Sequence, residues 1–433
     1  MKRRPLQETP CPPPPGGTHN IRIDTGTYGP PVEEYHYFYD QWPIGLAVSR
    51  QGRVFTCYTR GDYTYTLGEV VNLTAEAAYP SLELNTPPAG LVLGGGSGGS
   101  GVAGVPFGSA DSTHFISVQA LYVTPDDTLW VLDTGRPTVN ASPSSPSMPY
   151  AAPGGPKLVA INLTTNSVAR TYTFPVDVHY PDSYMNDLRF DQRRNATERG
   201  KGIAYIVDSS DEGRNGFIVL DLGTGESWRQ LDQHPSTLRV AEAVPSYQGL
   251  PFYLRQKGKA VNFQQEGLDG AELSLDGDLT EAIRPSQVMY YSPLTSNSLY
   301  SIETKYLRAN PSKDPRAFKA ALDNVKSLGQ RGGNANGFAG DSLGNVYMLM
   351  PEHNGVFIYN STLGQTVPFV RDPRIIWPDS ANAGWDGYLY MTINQLPYQP
   401  NWNDGVDGRV HPGLILRARM PDGAGKSTVL FDG

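Results

Sequence analysis

Cysteine is almost missing: Cys11 and Cys57 are the only two in 433 residues. They allow at most one disulfide, with their pairing left open, and cannot hold a zinc ion unaided, so a disulfide-stapled fold is excluded. Histidine is sparse as well, and the seven present form neither a His-x-x-x-His pair nor a Ser/His/Asp arrangement. Zinc-dependent and nucleophilic hydrolases are therefore not indicated. No run of 18 apolar residues occurs, so no membrane-spanning helix is encoded. The opening MKRRPLQETPCPPPPGGTHN has basic residues but no apolar segment behind them and is not an intact secretory signal. GGGSGGSG (94–101) lacks the lysine and the helix of a phosphate loop, so no nucleotide or flavin site is expected. A net charge of −8 with a pI near 5.4 argues against nucleic acid as a partner, because that requires clustered Lys and Arg.

What is abundant is turn and ring. There are 47 Gly, 37 Pro, 25 Tyr and 14 Phe, with 39% hydrophobic residues, which suits a folded chain with many turns and few long helices. One unit recurs six times, an apolar strand, a polar turn and a second apolar strand carrying an aromatic. Its copies lie at 45–60, 120–135, 187–209, 289–304, 337–351 and 379–394. Several are followed by a further strand pair, as in KLVAINLTTNSVARTYTF (157–174) and GVFIYNSTLGQTVPFV (355–370). Four short strands per repeat, set radially, bury faces that no single sheet could bury alone. The expectation is an all-β fold, a six-bladed β-propeller with long inter-blade loops, occupying 35–433 after a Pro-rich segment 1–34. Inserts are expected at Leu84 to Gly108, Arg136 to Gly155 and Pro245 to Pro285, the GGGSGGSG run reading as a flexible loop. A short helix is expected within Asp314 to Leu328. Gly413 to Arg417, or Val429 to Phe431, is expected to pair with an N-terminal strand and close the ring.

The runs MNDLRFD (185–191), AYIVDS (204–209) and GFIVLDLGTGESWR (216–229), with His234-Pro235-Ser236 just after, carry a family signature. WPIGLAV (42–48), LWVLDTG (129–135), NGF (336–338) and GYLY (387–390) followed by NQL (394–396) extend it in order. Over roughly residues 35 to 400 the chain resembles the major royal jelly protein/Yellow family. That resemblance also implies six blades. The long inserts depart from the family's insect pattern.

In a propeller the innermost strands line a central channel whose mouth collects ligands, so polar residues at strand ends are the candidates. For catalysis these are Asn186, Asp187, Asp208 and His179, the last as a general acid or base. For ligand binding they are Arg60, Tyr58, Asp133, Tyr291, Asn336, Phe338, Trp377 and Asn394, with Ser209, Asp379 and Tyr398 also near strand ends. Asn336 and Phe338, two apart, would face the same way on a strand. Family members that bind small aromatic or amine ligands use the channel mouth, so the resemblance makes this pair the leading binding candidate. Asp133, Asn186, Asp208 and Asn394 could converge on a divalent cation, but turn capping by Asp and Asn is the commoner role, and no cofactor is expected.

Three functions follow. The first is a cofactor-free Yellow-like enzyme of secondary metabolism that guides a reactive polyketide, terpenoid or phenolic intermediate through isomerisation, dehydration or a cycloaddition such as a hetero-Diels–Alder reaction. The second, implied by the resemblance, is a dopachrome-type tautomerase. The third is a non-catalytic binder of amines or small aromatics. Five Asn-x-Ser/Thr sequons, at Asn72, Asn140, Asn162, Asn195 and Asn360, offer N-glycan sites. Together with the resemblance they favour the secretory pathway over the cytoplasm.

Overall fold

The run Ile203–Asp208 (IAYIVD) is buried along its whole length, and its two faces serve different cores. Ile203, Tyr205 and Val207 pack toward the next sheet, while Ala204 and Ile206 pack toward the previous one. A strand alternates its side chains, so a sheet between two neighbours must be apolar on both faces. In the computed structural model this arrangement repeats around a closed ring. The described residues are 22–59, 64–87, 100–102, 105–106, 110–140, 146–255, 260–263, 265–274, 287–361, 363–427 and 431.

Six four-stranded antiparallel sheets form the blades of a β-propeller. Their innermost strands are, in order, Gly45–Val48, Val118–Thr124, Met185–Asp191, Leu268–Leu273, Phe338–Gly340 and Pro378–Ala383. Each lies beside the inner strand of the next blade, and the last lies beside the first. Six hydrophobic clusters fill the six gaps. Trp130 and Phe190, with ring centroids 4.7 Å apart, join the second blade to the third. Tyr205 and Tyr291 lie between the third and fourth, and Phe38, Tyr58 and Tyr390 between the sixth and first.

The ring closes where the N-terminal strand Val32–Phe38 pairs antiparallel with Gly413–Arg419 as the outermost strand of the sixth blade, Val32 opposite Ala418. The first of the two closures expected from the sequence is thus the one formed. The propeller begins at Val32, three residues ahead of the expected boundary at 35.

Two further expectations need correction. Five of the six sequence repeats are the first and second strands of a blade, but 289–304 supplies the second and third strands of the fourth blade. Its inner strand is Leu268–Leu273, inside the stretch read as an insert. A Cβ on Gly270 of that strand would collide with the Phe338 ring and come 2.6 Å from the Asn336 carbonyl oxygen, so glycine permits the approach of the next blade. The expected helix is real but shorter, Arg316–Asp323, and Lys326–Gln330 is already the outer strand of the fourth blade. Most of GGGSGGSG and all of the first 21 residues, including Cys11, lie outside the described residues. Among the described residues no helix is long and apolar enough to cross a membrane.

Candidate functional site

The inner strands begin irregularly, and that irregularity builds the site. Register shifts interrupt the pairing between Val118 and Ala120, between Met185 and Leu188, between Leu268 and Gly270, and between Pro378 and Ala381. The residues skipped include Gln119, Asn186, Asp187, Asp269 and Asp379. A bulge releases a residue from the ladder and re-aims its side chain; here all five border the axis. Above them a cavity of about 910 Å³ opens at one rim, with Trp42, Tyr184, Trp377 and Trp402 among its walls. The other end of the axis is occupied by Lys426, whose ammonium sits 4.0 Å from the Tyr122 ring centroid.

The floor of the cavity is a hydrogen-bonded set of carboxyls and amides. Asn336 Nδ2 donates to Asp379 Oδ1 at 2.5 Å. Asn186 Nδ2 donates to Asp269, and its Oδ1 accepts from Gln119 Nε2 at 2.6 Å. Tyr184 donates its hydroxyl to Gln119 Oε1, also at 2.6 Å. Burial pushes the Asp379 carboxyl up to about 7 against the pull of Asn336, Trp377 and Asn394. Burial together with the Asp379 and Asp187 charges holds Asp269 well above the ordinary carboxylate range. Asp187 rises to about 6, again through burial, although Arg189 opposes it. Asp379 and Asp269, placed in this way, hold protons near neutral pH and can give or take them.

Two segments roof the cavity, the insert after the third blade and residues 394–412, which join Tyr388–Ile393 to Gly413–Arg419 in the sixth. Phe252, from the insert after the third blade, stacks on Trp402 at 4.3 Å and lies 4.8 Å from Trp377. Arg255 ties the same insert to Asn401 and Trp402 by 2.8 and 3.0 Å hydrogen bonds. The Tyr398 hydroxyl donates to Gln248 Oε1 at 3.0 Å.

The candidates from the sequence divide accordingly. Asn186, Asn336, Trp377 and Asn394 line the cavity, and Asp187 lies just below it. Asp133 does not reach it, because its carboxylate accepts from the Ile116, Ser117 and Gly135 amides and pairs with Lys157 at 2.9 Å. Asp208 is likewise used up by Ser183, the Tyr184 amide and Arg229. The divalent-cation set named from the sequence therefore does not converge. Among the described residues no three His, Cys, Asp or Glu side chains are grouped to hold a metal. His179 is buried behind the third blade near Asp208, and burial lowers it to about 4, so it is neutral at neutral pH and off the cavity. Tyr58 and Tyr291 are inter-blade core, the latter bonded to Ser236 at 2.7 Å. Asn336 and Phe338 both border the small recess at the axis, but only the amide also lines the main cavity, the ring packing between the fourth and fifth blades. Arg60 lies outside the described residues.

Sequence reasoning passed over Gln119, Asp269 and Arg136. Asp269 sits in the missed inner strand, and its signal was an Asp directly ahead of Gly270 at the start of an alternating run. Arg136 follows LWVLDTG and borders the cavity, bonded to the Pro149 carbonyl at 3.0 Å and to Glu212 at 2.9 Å.

A family model described as Major royal jelly protein matches residues 116–399, the second to fifth blades and the two inner strands of the sixth. The chain belongs to the major royal jelly protein family. Major royal jelly protein 1 of Apis mellifera is 23% identical over 263 residues, which are 56% of this chain and 52% of that protein. The chain thus spans about half the length of the curated relative it matches. Among solved structures, a luciferin-regenerating enzyme aligns with a TM-score of 0.47 at 10% identity, covering 92% of this chain and 97% of the other. A streptogramin B lyase aligns at 0.45 and 10%, covering 90% and 97%. At this level neither neighbour's activity transfers to this family member.

Proposed function

We propose that this major royal jelly family propeller is an enzyme that isomerises a small, ring-bearing organic intermediate of secondary metabolism by moving a proton at the floor of its channel mouth. The observation that carries the proposal is Asp379, half-buried at the base of a 910 Å³ cavity, raised to about 7 and held by Asn336 at 2.5 Å. A general acid or base works best with a pKa near the working pH, and a cavity of this size takes a drug-sized guest. The aromatic walls would orient a planar substrate, and the bulged carboxyls would exchange a proton with it. No step of the proposal calls on a cofactor. Among the chemistries expected from the sequence, tautomerisation and dehydration use such a carboxyl directly, whereas a cycloaddition needs only the shape of the cavity.

One observation favours a binder of amines instead. Asp40, Asp211, Glu212, Glu266, Asp379 and Asp407 line the mouth against two guanidiniums, Arg136 and Arg409. An acidic aromatic mouth draws cations. Asp379→Asn decides between the two. It should abolish turnover of an isomerisable conjugated ketone or quinone methide while calorimetry still shows that substrate bound. Unchanged turnover sinks the enzyme proposal, and tight binding of amines without any conversion installs the carrier.

A further inference from the structure

Arg409 lies in the second roofing segment and borders the cavity. Its backbone is fixed on both sides. The Gly408 amide donates to the Tyr398 carbonyl at 2.9 Å, and Val410 exchanges hydrogen bonds of 2.8 and 2.9 Å with the Gln395 side chain. The guanidinium carbon stands 4.6 Å from the centroid of the Trp42 ring, which itself stacks on His411 at 4.5 Å. Asp407 accepts from Nε at 2.9 Å and from Nη2 at 2.6 Å. The remaining nitrogen, Nη1, meets no acceptor among the described residues, and it is not shut away from solvent. The other guanidinium of the mouth is spent: Arg136 gives Nε to the Pro149 carbonyl, Nη1 to the Asp182 carbonyl and Nη2 to Glu212. A guanidinium presents its N–H groups in its own plane. Laid over an aromatic ring and clamped along one edge, that of Arg409 keeps its free edge as a preorganised donor, with little freedom left to lose on binding.

We infer that Arg409 Nη1 anchors a carbonyl oxygen carried on the ring of a neutral, flat guest, a ring ketone or quinone. This rests on the proposed reading of the cavity as the site of a small ring-bearing molecule, and it gives that molecule a second point of attachment, in the roof, away from the Asp379 floor. The guest group is an acceptor because Nη1 can only donate. It is neutral because Asp407 already balances the guanidinium, while Asp40, Asp211, Glu212 and Glu266 leave the mouth negative and oppose a carboxylate or phosphate. It is flat because Trp42, Tyr184, Trp377 and Trp402 are the walls it has to lie against. A hydrogen bond from a charged donor is stronger than one between neutral groups, so a single such contact is enough to choose between orientations. With the oxygen held in the roof, the far side of the guest is turned to the floor, and Arg409 thereby decides which carbon meets Asp379.

The test is equilibrium binding of 1-tetralone, against the hydrocarbon in which a CH₂ group replaces its carbonyl oxygen. The parent should bind the ketone about tenfold more tightly than the hydrocarbon, with the C=O stretch moved to lower wavenumber. Arg409→Met should lose that preference and the infrared shift while binding the hydrocarbon as the parent does. If near-ultraviolet circular dichroism shows that Arg409→Met has not folded, Arg409→Lys decides instead. Its ammonium cannot hold Asp407 and the guest with the same flat fork, so the preference should fall below about threefold. Asp379→Asn is the control for the floor and should keep the preference. Equal affinity for the two probes in the parent, no binding of the ketone, or a preference that survives the loss of Arg409 would overturn the anchor. If Asp379→Asn erases the preference and Arg409→Met does not, the carbonyl sits on the floor, and the anchor falls while the proton-transfer function stands. If the preference follows Arg409 but no substrate is isomerised, the anchor stands and the enzyme falls.

Discussion

Replacing Asp379 by Asn should make the protein more stable in alkali while changing it little in acid. Burial raises this carboxyl from the ordinary 3.8 to about 7, so the folded chain holds its proton more tightly than the unfolded chain does. The corresponding stability is therefore fully present below about pH 4 and is lost as the pH climbs through 7. At about 1.4 kcal/mol per pKa unit the whole effect is about 4 kcal/mol. Asparagine has no proton to lose, so the gap in unfolding free energy between Asp379→Asn and the parent should open between pH 4 and 7 and level off above it. The neighbouring Asp269 adds to the gap, since removing the Asp379 charge eases its own ionisation. Urea unfolding at fixed salt from pH 4 to 9 measures this directly. A gap that stays flat across that range, or one that narrows with rising pH, would refute the assignment of a buried, proton-retaining carboxyl to the channel floor.

Asn336→Ala removes the 2.5 Å hydrogen bond that favours the Asp379 anion, so the pH at which the same gap levels off should move above 7; a downward move contradicts the geometry. Arg189 bonds Glu272 and Asp187 at 2.7 Å each and also reaches the Phe338 carbonyl, tying the third blade to the fourth and fifth. Arg189→Met takes the cation from buried Glu272 and half-buried Asp187, leaving each only a backbone amide donor, and should cost about 3 kcal/mol; urea unfolding within about 1 kcal/mol of the parent would show the triad to be dispensable. Cys57 is fully buried with its thiol on the Gln119 carbonyl at 3.2 Å, and burial pushes its ionisation far up. It should resist maleimide labelling in the native protein and react once urea unfolds it; rapid native labelling at Cys57 would contradict the packing of the first two blades.

By itself the sequence determined the kind of element and the number of blades. Strands such as IAYIVD and TLWVLD carry apolar residues on both faces, which only a sheet enclosed by two neighbours can bury, and their recurrence between Gly- and Asp-rich turns counts the sheets. The sixfold count survived even though one copy was out of phase, because the fourth blade's inner strand LDGAEL lies in a stretch whose composition resembles an insert. The site was legible only in part, for a local reason. Asp133, Asp208, Asn186 and Asp379 look alike in a linear reading, each polar and at a strand end. Tertiary structure separates them. Asp133 and Asp208 have backbone amides and a cation within reach and become structural, whereas Asn186 and Asp379 fall at bulges facing the axis. Trp377 and Asn394 were visible as residue types, but that both side chains turn to the Asp379 carboxyl is decided only where the strands meet at the channel mouth. Burial and hydrogen-bond partners are properties of the closed ring, and no window of sequence contains the ring.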